Sequence, residues 1–288
     1  MTSRICCLVW RLMMTDDIRL AILIEDTVSE ARFLGEHGLS IWIEYADKRV
    51  LFDTGQSDNL IQNAHLLGVN LTKADAIVIS HGHYDHTGGL VSVLKLAAQA
   101  RIYLHPAATE SKFSQKPSCV NRIGMSEAAK KAIQGRDIIW TAVPAQLFPG
   151  ISVTGQVPRL NDYEDVGGAF YVDEDCRKSD QLLDDQTLFI ESKKGLIVIF
   201  GCAHAGVINT LGYISQLTGE KTIYAVIGGM HLLHAGAPRI EKTIEIFKRY
   251  RIQKIFPMHC TGQKAIDAMK DAFGDKCESL GAGGIINF

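Results

Sequence analysis

Short apolar runs and helically spaced apolar positions alternate along most of the chain, and they predict a series of strands and helices. Runs rich in Ile, Val and Leu predict strands, whereas apolar residues three and four apart predict helices. Strands are predicted at residues 18–26, 40–44, 48–53, 76–79, 102–104, 138–143, 151–153, 187–191, 196–200, 223–227 and 254–256. Helices are predicted at residues 58–67, 90–98, 126–133, 207–217, 238–250 and 266–273.

The order of these elements indicates how the chain is organised. A strand–strand–helix pattern occurs twice, at about residues 18–105 and 140–260, which is typical of a four-layer αββα sandwich of two mixed sheets. We therefore predict an α/β (α+β) fold with a single domain over residues 18–288. Polar stretches near residues 106–136 and 156–186 predict loop insertions, the first of them covering the active site.

The densest group of metal-binding side chains follows the strand predicted at residues 76–79. His81, His83, Asp85 and His86 lie within six consecutive residues, and a Gly pair then leads into a helix. Imidazole nitrogen and carboxylate oxygen are ligands that borderline divalent metals prefer. Side chains two apart share one face of an extended segment, so His81 and His83 can hold one metal. Asp85 and His86 lie beyond the turn and can hold a second.

Three more histidines occupy equivalent places in the second half of the chain. His204, His231 and His259 each lie just beyond a predicted buried strand, as His81 does. Each histidine alone would more often be structural than functional. Because four strand ends each supply a histidine, we predict that they converge on one site.

Composition narrows the class of partner. The 288 residues carry a formal net charge of −2, so no basic excess points to a nucleic acid. Seven scattered cysteines are typical of reduced thiols and predict a cytoplasmic protein. No stretch has the about 20 apolar residues that a membrane helix needs. We predict a small-molecule substrate, leave the oligomeric state open, and interpret residues 1–17 as a leader of uncertain order.

The pattern His-x-His-x-Asp-His over residues 81–86 resembles the metal-binding signature of the metallo-β-lactamase superfamily. Five further stretches are similar to a narrower branch, the dihydropterin–ribofuranosylaminobenzene phosphate synthase-like proteins. They are EHGLS at 36–40, LFDTG at 51–55, GCAHAG at 201–206, GGMHL at 228–232 and HCTG at 259–262. The resemblance covers nearly the whole chain from about residue 18.

This resemblance implies two divalent metal ions and a set of six ligands. One metal would be held by His81, His83 and His204, and the other by Asp85, His86 and His259, with Asp85 also counted as catalytic. The ligand types favour Zn, while Mn, Fe and Mg stay open. His231 would be either a ligand or the proton donor to the leaving group.

Three other residues have roles that the sequence leaves open. By resemblance Asp53 lies under the metal site and orients a histidine, although it could instead satisfy backbone N–H groups in a turn. His37 is either a pocket residue or a surface loop residue. Arg159 either binds an anionic substrate bidentately or forms a surface salt bridge.

The chain departs from the common superfamily pattern at Cys202. Most relatives have an Asp there that bridges both metals, and a Gly-His ligand before residue 187 is also absent. We infer that His204 replaces the missing histidine. Cys202 is either a thiolate ligand or a small packing residue, and Asp184 or Asp185 could supply the carboxylate instead.

The sequence supports three functional hypotheses. The first is a metal-dependent hydrolase that attacks a small anionic, phosphorylated substrate with a metal-activated hydroxide. The second is a transferase of the synthase type implied by the narrower resemblance, in which the metals stabilise a leaving diphosphate. The third is a non-catalytic metal-binding module, which is disfavoured because every ligand of the central motif is present.

Overall fold

The computed structural model describes residues 17–219 and 222–288, so the predicted leader falls outside the described residues except for Asp17. One large sheet is built from the first half of the chain and the carboxyl terminus. Its seven strands are β1 (Ile18–Ile24), β2 (Ser40–Tyr45), β3 (Lys48–Phe52), β4 (Ala76–Val78), β5 (Arg101–Leu104), β8 (Ile138–Trp140) and β16 (Ile285–Asn287). Their order is β16-β1-β2-β3-β4-β5-β8.

The second large sheet is built from the second half. Its six strands are β9 (Ala145–Phe148), β10 (Ile151–Val153), β12 (Leu188–Ser192), β13 (Gly195–Phe200), β14 (Ile223–Gly229) and β15 (Lys254–Met258), in the order β15-β14-β13-β12-β10-β9. β13, β14 and β15 run parallel, with Phe200 opposite Gly228 and Gly229 opposite Met258. Their carboxyl ends therefore lie along one edge of the sheet.

Helices cover the outer faces of both sheets. They are α1 (Asn59–Leu66), α3 (Leu90–Leu96), α4 (Glu127–Ile133), α5 (Val207–Thr218), α6 (Ala237–Tyr250) and α7 (Gln263–Phe273), whereas the one-turn helix α2 (Tyr84–Thr87) carries Asp85 and His86. None of the helices in the described part of the chain combines the length and apolar character needed to cross a membrane.

Alternation along the strands explains why the sheets stack. In β1, Leu20 and Ile22 pack into the core between the two sheets, whereas Ala21 and Leu23 pack under the helices of the first sheet. The second sheet repeats this arrangement, with Ile199 in the central core and other side chains against α5, α6 and α7. Central strands such as β13 are apolar on both faces because both faces are buried. The predicted αββα sandwich is confirmed.

The two predicted insertions meet in a small third sheet. The first contributes the hairpin β6 (Phe113–Lys116) and β7 (Cys119–Arg122), and the second contributes β11 (Phe170–Tyr171), in the order β11-β6-β7. Phe170 pairs with Ser114 across the insertions. This pairing holds the Phe170 ring beside the histidines described below. The single-domain organisation stays a prediction.

Candidate metal centre

The site lies where four strands end. β4 leads into His81, β13 into Cys202 and His204, β14 into His231, and β15 into His259. Four residues at or just beyond strand ends around the site have left-handed backbone, namely Asp53 with φ 58°, Ala203 with φ 54°, His231 with φ 46° and His259 with φ 48°. Non-glycine residues rarely adopt this conformation, and it concentrates at functional sites.

The first group of candidate ligands consists of His81, His83 and His204, whose ligand atoms lie within 4.8 Å of one another. The Nε2 atoms of His83 and His204 are buried without a hydrogen-bond partner. Burial lowers the pKa of His83 to about 3 and holds the pKa values of His81 and His204 well below the ordinary value. The imidazoles are therefore neutral, which is the form that binds a metal.

Backbone contacts orient His204 in this group. Its Nδ1 atom lies 2.8 Å from the carbonyl oxygen of Val166, which leaves Nε2 directed toward His81 and His83. Arg159 Nη1 donates to the His204 carbonyl oxygen at 2.7 Å, and Nη2 donates to the Gln181 carbonyl oxygen at 2.6 Å. The Arg159 guanidinium therefore binds the backbone of the His204 loop and does not form the surface salt bridge that was the alternative interpretation. Contact between Arg159 and a substrate stays a prediction.

The second group consists of Asp85, His86 and His259. Asp85 Oδ2 lies 3.6 Å from His86 Nε2 and 3.4 Å from His259 Nε2. Burial alone would raise the pKa of Asp85, but the neighbouring His86 and His259 outweigh it and hold that pKa well below its usual range. An ionised carboxylate facing two imidazole nitrogens is a suitable donor set for a divalent cation.

Carboxylates behind the second group fix the orientation of its imidazoles. Asp53 Oδ2 lies 2.7 Å from His86 Nδ1 and also accepts from Ser80 Oγ at 2.7 Å. Asp26 Oδ1 lies 2.6 Å from His259 Nδ1. In both pairs Nδ1–H donates a hydrogen bond to the carboxylate and keeps its proton, so the unprotonated Nε2 is left as the ligand atom. No local pattern indicated a role for Asp26, because its contact with His259 spans almost the whole chain.

His37 lies at the mouth of the site. Its Nδ1 atom is 3.0 Å from Asp26 Oδ2, and its Nε2 atom is 3.4 Å from Asp85 Oδ2. The His37 side chain is 52% exposed. The structure therefore brings His37 next to the second group, while its contact with substrate stays a prediction.

The Cys202 sulfur lies between the two groups. Its Sγ atom is 3.3 Å from His86 Nε2, and it forms possible ligand sets both with His81 and His86 and with His204 and His231. Burial raises the pKa of the Cys202 thiol well above its ordinary value, so a bound cation would be needed to favour the thiolate. A further thiol, Cys260, lies close by and donates to the Cys202 carbonyl oxygen at 3.8 Å. Sequence reasoning assigned no role to Cys260.

The two candidate carboxylates, Asp184 and Asp185, have different partners. Asp184 Oδ1 accepts from Lys112 Nζ at 2.8 Å and Oδ2 accepts from Gly82 N at 2.7 Å, so both oxygens are engaged and one of them holds the His81–His83 loop. Asp185 Oδ2 accepts from Ala205 N at 2.8 Å, while its buried Oδ1 has no partner. Burial raises the pKa of Asp185 to about 6.

His231 and Phe170 close the site on the side of the second insertion. His231 Nε2 lies 3.2 Å from the Gly167 carbonyl oxygen, and its buried Nδ1 has no partner. A Cβ atom at Gly167 would lie 1.7 Å from the His231 ring, so only glycine permits this approach. The Phe170 ring packs 5.2 Å from His83 and 5.6 Å from His204, which shields the first group from water.

Two stacked mixed sheets with histidines and a carboxylate at their strand ends define the class of protein. The sequence profile of the metallo-beta-lactamase superfamily matches residues 35–163, and the chain belongs to that superfamily. The chain is 32% identical to a 7,8-dihydropterin-6-methyl-4-(beta-D-ribofuranosyl)-aminobenzene-5'-phosphate synthase from Methanocaldococcus jannaschii, over 95% of this chain and 97% of the synthase.

Solved structures give the same class. A crystal structure of a metal-dependent hydrolase of the beta-lactamase superfamily is 30% identical with a TM-score of 0.82, over 94% of this chain and 99% of that one. The metallo-beta-lactamase fold protein YhfI from Bacillus subtilis is 13% identical with a TM-score of 0.59, covering 94% and 99%, and supports the fold alone. The predicted resemblance is confirmed, and the protein is an enzyme of this fold.

Proposed function

We propose that the protein is a metal-dependent hydrolase that acts on a small, anionic, phosphorylated substrate. The observation that carries this proposal is the pair of adjacent ligand groups, in which His83, His204 and His259 each have a buried Nε2 atom without a hydrogen-bond partner. Leaving such atoms unpaired costs about 1–3 kcal/mol each, so they are maintained for a ligand.

The donor set suits two divalent cations, and the nitrogen-rich ligands favour Zn²⁺ over Mn²⁺, Fe²⁺ or Mg²⁺. One cation would be held by His81, His83 and His204, and the other by Asp85, His86 and His259. Bound there, the cations would lower the pKa of water and stabilise negative charge on the attacking and leaving oxygens. We also propose that each chain binds two ions, that the protein is cytoplasmic and that it has no nucleic-acid partner.

The chain's own groups do the remaining work. Asp53 and Asp26 keep His86 and His259 in the tautomer that exposes Nε2. Phe170 excludes water from the histidines, which strengthens electrostatic interactions inside the site. His231 presents its partnerless Nδ1 at the edge of the first group, where it can donate a proton to the leaving group or act as a further ligand.

A transferase of the synthase type is the second candidate. The similarity to the Methanocaldococcus jannaschii synthase extends over 97% of that protein, so both chains share the elements that carry the site. The same ligand groups would then stabilise a departing diphosphate, and a second substrate would take the place of water. This alternative has about as much support as the hydrolase.

Turnover assays on the metal-loaded enzyme separate the two candidates. The screen contains phosphodiesters, cyclic nucleotides, lactones and a pterin diphosphate, each with and without an arylamine. Turnover that needs only water supports the hydrolase, whereas diphosphate release that requires the arylamine supports the transferase. Turnover confined to neutral β-lactams or thioesters would contradict the proposal. His83→Ala serves as the control for contaminating activity.

A further inference from the structure

A cavity of about 440 Å³ opens beside His231. Its lining is polar and comes from the second insertion and from the segment that begins α6. The lining includes Tyr163, Asp165, Gly167, His231, Gly236 and Arg239. Because His231 also belongs to a possible ligand set with Cys202 and His204, the cavity adjoins the reacting centre.

Arg239 is the charged group built into the wall of this cavity. The residue is only 9% exposed, and its buried Nε atom has no hydrogen-bond partner. Arg239 Nη1 donates to Asp165 Oδ1 at 2.6 Å and Nη2 donates to the Asp165 carbonyl oxygen at 3.4 Å, while the Asp165 side chain is 78% exposed. A guanidinium has five N–H donors, and these contacts use two of them, so Arg239 keeps donors for an oxyanion. The exposed carboxylate is a weak, displaceable partner.

Two further features favour negative charge in the cavity. The 14-residue helix α6 begins after Gly236, and no side chain caps its amino terminus. The positive end of the helix dipole therefore adds to the charge of Arg239. Lys242 Nζ lies 3.6 Å from the centre of the Tyr163 ring, so a second cation borders the lining. Asp165 is the single carboxylate among the lining residues.

We propose that this cavity is a binding subsite for a phosphate group of the substrate that is remote from the bond being broken, with Arg239 as its anchor. The inference rests on the proposed function, because it assumes that the reaction takes place at the ligand groups next to His231. It adds a specificity element: the substrate carries a second anionic group, which Arg239 holds while the first lies at the metals. Asp165 lowers the phosphate affinity of the subsite, because its carboxylate competes with phosphate for the Arg239 guanidinium.

The test measures inorganic phosphate binding to the metal-loaded enzyme by equilibrium dialysis. Asp165→Asn keeps an oxygen acceptor for Arg239 Nη1 and for Gly167 N but removes the competing charge. At one class of sites, we expect Asp165→Asn to lower the Kd for phosphate about tenfold. We expect Arg239→Lys to raise the Kd of the same sites about tenfold. Lys248→Ala, an exposed residue near the other end of α6, should change neither value.

The outcomes separate the subsite from the proposed function. Phosphate bound at metals disappears when the metals are removed, whereas phosphate bound at Arg239 remains in the stripped protein. If the wild-type enzyme turns over none of the substrates or takes up no metal, that result would therefore contradict only the proposed function. Phosphate binding that is unchanged in both Asp165→Asn and a folded Arg239→Lys would overturn the subsite. A lower KM in Asp165→Asn for a doubly phosphorylated substrate, with no such change for a singly phosphorylated one, would support it.

Discussion

The Sγ atom of Cys202 lies 3.3 Å from the Nε2 atom of His86. Cys202 also belongs to a possible ligand set with His204 and His231, so its sulfur stands between the two groups of ligands. A sulfur in this place would be available to a cation held by either group. The thiol is fully enclosed, and a bound cation would favour its thiolate.

We predict that Cys202 supplies sulfur to the metal centre. X-ray absorption at the metal edge should show a Zn–S distance of about 2.3 Å in the zinc-loaded protein, in addition to Zn–N and Zn–O distances of about 2.0–2.2 Å. The sulfur contribution should vanish in Cys202→Ser and persist in Cys260→Ser. Sulfur that persists in Cys202→Ser but vanishes in Cys260→Ser would transfer the role to Cys260.

We predict that Asp53 controls metal affinity through His86. In Asp53→Asn the side chain no longer favours the His86 tautomer that exposes Nε2, and the 2.7 Å contact with Nδ1 weakens. Loss of such an orienting carboxylate typically lowers metal affinity about 10–100-fold. Competition titration with a chelator measures the loss, with the exposed Asp58→Asn as the control. Equal affinity in the two variants would contradict the orienting role.

The fold was predictable where local pattern determines structure. Buried strands such as β4 and β14 are continuous apolar runs, so their positions followed from the sequence. The hairpin β6–β7 was missed because β7 is exposed at every residue and has no apolar face. β16 was missed because it is short and pairs with β1 across nearly the whole chain.

The site was predictable only in part, for a related reason. The motif around His81 contains its ligands within a few residues, so spacing alone indicated a metal site. Asp26 and Cys260 were missed because each acts through a contact with a distant part of the chain, His259 and Cys202 respectively. Such contacts depend on how the two sheets stack, and no local pattern specifies them.

We predict that Asp185 lowers the stability of the metal-free protein in a pH-dependent way. Its folded pKa is raised from 3.8 to about 6, so the stability it contributes is present below pH 3.8 and is lost as pH rises through about 6. This change in pKa corresponds to about 3 kcal/mol in the free energy of unfolding. Asp185→Asn should therefore be more stable than wild type above pH 6 and should lose that advantage near pH 4. Thermal unfolding of both metal-free proteins from pH 4 to 8 measures this difference, and parallel curves would contradict it.

We predict that Gly167 sets the position of His231. In Gly167→Ala the new Cβ would lie 1.7 Å from the His231 ring, and alanine also disfavours the φ of +84°. The variant should lose His231-dependent activity and about 1–3 kcal/mol of stability. Gly68→Ala is the matched control, because Gly68 has φ +69° but no atom within 4 Å of an added Cβ. Denaturant unfolding and kcat are measured for both variants, and equal effects would contradict a specific role for Gly167.

The central claim is that the two neighbouring groups of ligands hold two divalent metal ions. Elemental analysis of the purified, zinc-equilibrated protein tests it most directly, with His83→Ala and His259→Ala measured alongside. We predict about two equivalents of metal in wild type and about one in each variant, because each substitution removes a partnerless Nε2 from a different group. A wild-type protein that takes up neither Zn²⁺, Mn²⁺, Fe²⁺ nor Mg²⁺, or variants that retain the full wild-type content, would contradict the claim.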